Sequence, residues 1–506
     1  MFKPPALAAL PSLIVAATLA VVTVPPPALA QVRLPALGES ASDEFNISTE
    51  KRIGEQVMRD IRRDPDYLDD PVLLAYVQGL WQPLVAAARE RGDITPDIDR
   101  LFPFECFLVR DRSVNAFALP GGYVGVHAGL IALTATRDEL ASVLGHELSH
   151  VTQRHIARSV IAQSRASTLS LAAMLLGIIA AGRSNNLDVA QAAVMGGQAA
   201  AIQQQLNFSR DMEREADRIG FALLERAGYS VGGMSAMFDK LDSANRLNDS
   251  GQFPYLRSHP LTVERIAEAR ARAQAVPAAP PTIEHALMQA RARVIMDPAV
   301  PALRRAQALD GLLATQPWAE RLAGLYASAL ASVQLREFPR AEAALQGARA
   351  LLDAGPRVDP RAQRAFALLG AQAAVGAGDG AAAQARLAPL AAETSRELVM
   401  LRAQAALASG QTAALREATE ALQVRVAEHR DDAGAWALLA QTSNRLGLAL
   451  RAVRAEAESR AAIGDWQGAI DRLRAGQRLV QQQRGGATPA DFIEASVIDA
   501  RLREVT

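Results

Sequence analysis

The stretch TRDELASVLGHELSHVTQRHIAR, residues 136–158, constrains this chain more than any other. Thr136 stands three residues before Glu139, a capping box that opens a helix. Leu140, Val143, Leu144, Leu148 and Val151 then carry the apolar spacing of that helix. His146 and His150 are four residues apart, about 40° apart on one face, so both imidazoles can reach one ion, zinc foremost. Glu147 lies about 100° round from His146, too far to be the obvious third ligand but well set to act as a general base on water. A third ligand must therefore come from elsewhere in the chain.

One extended version of this motif places glycine at 153 and histidine at 156, where this chain has Gln153 and Ile156. The alternative source is FSRDMEREADRIGFALLERAG, residues 208–228, which reads as a second helix. Glu213 and Asp217 share a face one turn apart. Glu213 is placed to complete the zinc ligands, and Asp217 to accept from the far nitrogen of a ligand histidine and fix its tautomer. Glu215 points away and is assigned to solvent or a salt bridge.

HELSH followed by EREAD at Glu213–Asp217 resembles peptidase family M48. The specific motifs span residues 45–275, and the remainder is similar only in architecture, that of the exported members with C-terminal helical repeats. The resemblance implies an α+β gluzincin-type zinc protease domain, mostly helical, with one zinc per chain and a small sheet whose edge strand binds substrate. That strand falls on NAFALPGGYVGV, with Asn115, Phe117, Ala118, Pro120 and Gly121 as its candidate residues. It also draws attention to RSHPLTVERI, where His259 precedes Pro260 and Thr262 is placed to cap a helix. By resemblance, His259 takes the fourth zinc position, displaces the catalytic water and holds the enzyme latched, or else helps in the transition state. The implied activity is that of a periplasmic zinc endopeptidase of outer-membrane protein quality control. Its implied partners are unfolded or stalled outer-membrane proteins and, through the helical repeats, the outer-membrane assembly machinery.

The rest of the chain divides by composition. Residues 1–30 read as a signal peptide cleaved near Ala30, with an apolar run, three prolines and a small-x-small site. Residues 31–275 form the protease domain, and VPAAPPT at 276–282 is a linker that cannot continue a helix. Residues 283–506 are Ala, Leu and Arg helices with a loose repeat, read as an all-α tetratricopeptide-like solenoid. In it a turn residue is followed five positions later by a small or apolar one: Arg336 and Ala341, Gly378 and Ala383, Gly410 and Leu415, Gly447 and Ala452, Gly464 and Ala469. The apolar stretch at residues 168–182 is too short to span a bilayer, and core, lid and peripheral membrane contact all stay open for it. The balance of 54 basic and 54 acidic residues argues against a nucleic-acid partner. Cys106 reads as a small buried hydrophobe in a strand. His127, His155, His285 and His429 read as structural; His155 in particular lies about 180° round a continuous helix from His146. The competing reading of the whole chain is an assembly scaffold acting through its helices with little proteolysis.

Overall fold

Asn46 opens the first helix, α1 (Ile47–Ile61), by accepting from the Thr49 N–H. Asp70 caps α2 (Pro71–Arg91) in the same way, with proline at the first helical position. These elements belong to a computed structural model that describes residues 46–162, 209–246, 253–273, 276, 279–311, 315–355, 359–482 and 489–506. The expected leader and the apolar stretch at 168–182 lie outside the described residues. Helix α2 is the one described helix long and apolar enough to cross a membrane. Its Leu73, Val77, Trp81 and Leu84 are buried in the protein core.

After α3 (Pro96–Leu101) come the three strands β1 (Glu105–Val109), β2 (Ala116–Leu119) and β3 (Tyr123–His127). The order is β1-β3-β2, with β3 parallel to β1 and antiparallel to β2. Every residue of β3 is buried, as a central strand demands, whereas β2 is an edge. Gly121 and Gly122 make the turn between β2 and β3 at φ of 77° and 91°, which side chains resist. Cys106 is buried in β1, as its sequence context suggests.

The sheet lies against a helical layer: α4 (Ala128–Leu133), α5 (Arg137–Thr152), α6 (His155–Ala162), α7 (Arg210–Arg226), α8 (Gly232–Arg246), α9 (Tyr255–Ser258) and α10 (Val263–Ala273). Thr136 accepts from the Glu139 N–H, and the Glu139 carboxylate accepts from the Ala135 N–H, so the cap of α5 is closed from both sides.

Beyond residue 282 the described elements are helices and short 3-10 turns, ending with Pro489–Val505. The five turn residues Arg336, Gly378, Gly410, Gly447 and Gly464 all have φ between 60° and 81°. The residues five positions later, Ala341, Ala383, Leu415, Ala452 and Ala469, are all buried where successive helices meet. These helices are fastened to the first half of the chain by ion pairs whose arginines are largely buried. Arg291 holds Asp70 through two hydrogen bonds of 2.8 Å, and Tyr326 Oη lies 3.0 Å from it. Arg396 bridges Asp69 and Asp432, while Arg62 bridges Glu105 and Asp431. His285 packs between Tyr76 and the Thr134 carbonyl, a structural role.

Candidate metal centre

Helices α5 and α7 meet backbone to backbone at Gly145 and Gly220. A Cβ added to Gly220 would lie 3.1 Å from the His146 nitrogen, so the approach depends on glycine there. Glu213, two turns back on α7, is thereby set beside His146 and His150. Ser209 fixes the start of α7 by accepting from the Met212 N–H.

His146 Nε2 and His150 Nε2 lie 2.9 Å apart. The Glu213 carboxylate is 3.4 Å from the first and 3.5 Å from the second. His259, on the loop after α9, brings its Nδ1 to 3.0 Å from Glu213 Oε1 and 3.3 Å from His146 Nε2. One donor atom from each of the four residues falls within 4.8 Å of the others, and all four side chains are buried. Four donors on bonds of about 2.1 Å would be spaced about 3.4 Å apart in a tetrahedron, close to what these residues adopt. Without a metal, one of these two nitrogens must carry a proton and donate it to the other; a cation shared by both lone pairs would take that proton's place. Three imidazoles and a carboxylate are a donor set for zinc.

The surroundings orient these donors. His146 Nδ1 is 2.9 Å from Asp217 Oδ1, which leaves Nε2 for the metal. Asp217 in turn accepts a forked pair from Arg265, Nε at 2.6 Å and Nη2 at 2.8 Å. The same guanidinium lies 2.8 Å from Glu213 Oε2 and donates to the Pro260 carbonyl at 2.8 Å. Burial would raise Asp217, but the Arg265 fork outweighs it and holds the carboxyl below its usual range. Tyr255 stacks on the His259 ring with centroids 4.5 Å apart.

Glu147 is fully buried, and Oε1 stands 3.5 Å from His259 Nε2. Burial pushes its carboxyl up, while His259, His146 and the Ala118 N–H pull the other way. That N–H comes from β2. Since amides alternate along a strand, one aimed at Glu147 turns the outer edge of β2 toward the metal centre.

In the metal-free protein, burial works against charge on His146, but the Asp217 and Glu213 carboxylates outweigh it and push the imidazolium up to about 10. A raised histidine gives stability that is fully present below about 6.5 and lost as pH rises through about 10. A metal must displace that proton. Zinc binding should therefore release a proton and tighten as pH rises from neutral toward 10, which calorimetry in buffers of different ionisation enthalpy would measure. Equal affinity across that range would show that His146 is already neutral.

His146, Glu147, His150, Glu213, Asp217 and His259 thus lie together in the structure. The edge-strand set needs correction. Phe117 and Ala118 lie in β2 and Asn115 just precedes it, but Pro120 and Gly121 are in the turn, where Gly121 packs on the backbone of α1 at Lys51. They are not strand positions, because positive φ at Gly121 swings the chain off the edge. Arg265 went unread. Its signal was a basic residue three positions after the cap Thr262, in a helix first turn that disfavours positive charge unless acids hold it.

The family model for Peptidase family M48 matches residues 96–273. The chain is 35% identical over 240 residues to the beta-barrel assembly-enhancing protease of Escherichia coli, covering 47% of each chain. A Vibrio cholerae protein of that description is 36% identical over 327 residues, 62% of this chain and 64% of the other. The beta-barrel assembly-enhancing protease of Yersinia pestis is 31% identical over 452 residues, 88% of this chain and 87% of that one. Aligned residues thus span about half of the first relative's length, just under two thirds of the second's and most of the third's.

Proposed function

Because the chain belongs to peptidase family M48, we propose that it is a zinc-dependent endopeptidase acting on unfolded or stalled outer-membrane proteins in the periplasm. The observation that carries the reading is the His146, His150 and Glu213 donor set with Glu147 beside it, beneath the outer edge of β2. When bound, zinc supplies Lewis acidity for the scissile carbonyl and makes water a better nucleophile. Glu147 takes the proton from the attacking water and delivers it to the leaving amine; a carboxylate raised by burial is suited to hold it in between. An extended client segment pairs with the free edge of β2 through main-chain hydrogen bonds, which gives little sequence preference. The helices after residue 282, read as a tetratricopeptide-like array, bring large clients and the outer-membrane assembly machinery to this edge.

In this reading His259 is also a latch on the site. Its Nδ1, 3.0 Å from Glu213 Oε1, would be a fourth donor to the zinc in place of water, and the Tyr255 ring and the Arg265 hold on the next carbonyl support it there. The test is cleavage of an unfolded outer-membrane β-barrel protein by the mature zinc-loaded chain and by His259→Ala. A latch closed in about nine-tenths of molecules gives about a tenfold gain when removed. Activity that is unchanged or lost in His259→Ala counts against latching, and an absence of cleavage in both counts against the endopeptidase.

A further inference from the structure

The sequence motif ends at His150, but the structure continues it. Helix α5 stops at Thr152, and Arg154 takes the left-handed conformation, φ 51°, with its guanidinium held by Glu50 at 2.9 Å. That break cancels the helical-wheel reading that sent His155 to the far side. His155 instead folds back beneath the zinc helix, fully buried, with Nδ1 2.8 Å from His150 Nδ1 and the two rings crossed at 75°. Its Nε2 lies 3.1 Å from Glu215 Oε2, the oxygen that also accepts from Arg158 at 2.8 Å.

Only one arrangement of protons satisfies all three contacts while leaving His150 Nε2 a lone pair for a metal. The Glu215 carboxylate can only accept, so His155 carries its proton on Nε2. His155 Nδ1 is then an acceptor, and His150 must donate from Nδ1. His150 Nε2 is left bare and aimed at the centre. We propose that His155 and Glu215 are positioning residues that fix the tautomer and ring orientation of zinc ligand His150, as Asp217 does for His146. The EREAD stretch then serves the metal three times from one helix. Glu213 is a ligand, Asp217 steadies His146 directly, and Glu215 steadies His150 through His155. The inference rests on the reading that His146, His150 and Glu213 hold zinc.

The measurement is the zinc dissociation constant of the full chain by competition with a chromophoric chelator, with the metal-free melting temperature beside it. His155→Phe keeps the ring volume and removes the acceptor, and should weaken zinc about 10- to 100-fold. His155→Asn places an amide oxygen where Nδ1 was and should recover most of that loss, which a purely packing role for His155 does not provide. Glu215→Ala, with its side chain 30% exposed, leaves the core intact and should weaken zinc about tenfold, so the test survives a misfolded His155→Phe. Zinc held equally by wild type, His155→Phe and Glu215→Ala overturns this inference alone, as does an Asn variant no better than Phe. A wild-type chain that takes up no zinc overturns the metal-centre reading and this inference with it.

Discussion

Glu147→Gln should abolish peptide-bond cleavage, a fall of about 10²–10⁴-fold, with zinc still bound and the fold unharmed. The side chain is fully buried, so an isosteric amide fills the same space without a cavity. What it loses is basicity: an amide cannot take the proton from water or return it to the leaving amine. Stability should hold or rise at neutral pH. A carboxylate raised by burial stabilises the fold while protonated and loses that contribution as pH rises from 4.5 through its higher folded value, a loss that the neutral amide of Gln does not suffer. Cleavage of an unfolded β-barrel client, zinc content and melting temperature separate the outcomes. Cleavage that survives removes Glu147 from the base role, and zinc lost with activity would make it part of the metal set instead.

What the sequence made readable was local. The zinc helix, its cap at Thr136 and the Glu213–Asp217 face follow from spacings within one or two turns, and the five left-handed turns from Arg336 to Gly464 follow from a repeat of the same short range. What it concealed depended on chain direction or on distant partners. A single left-handed residue, Arg154, reverses the place of His155, and nothing in Gln153-Arg154 marks a helix end as glycine would. The Pro/Ala stretch at 276–282 suggested separation, yet the helix starting at Ile283 packs on α4. Arg291 and Arg396 find Asp70 and Asp69 across 221 and 327 residues. Charges on a helix announce that they need partners, but not which ones.

Arg265 is the sharpest case of such a charge, and Arg265→Met should destabilise the metal-free protein by about 3–5 kcal/mol. The guanidinium is almost completely buried and is the shared cation of Asp217 and Glu213. Its removal leaves two buried carboxylates with less compensation, although methionine fills most of the space. Zinc offsets part of this, because a bound dication again neutralises Glu213. The deficit should therefore be largest in excess chelator and shrink when zinc is restored, a difference read directly from paired denaturant melts. Arg265→Lys divides the remainder. It keeps the charge but cannot span Asp217 with a two-pronged fork and still reach Glu213 and the Pro260 carbonyl. If charge alone matters, Lys recovers nearly all the stability. If the fork matters, Lys stays close to Met, and the loop carrying His259 loosens with it. Melts of Arg265→Met that match wild type in chelator would mean that the buried carboxylates are protonated rather than paired.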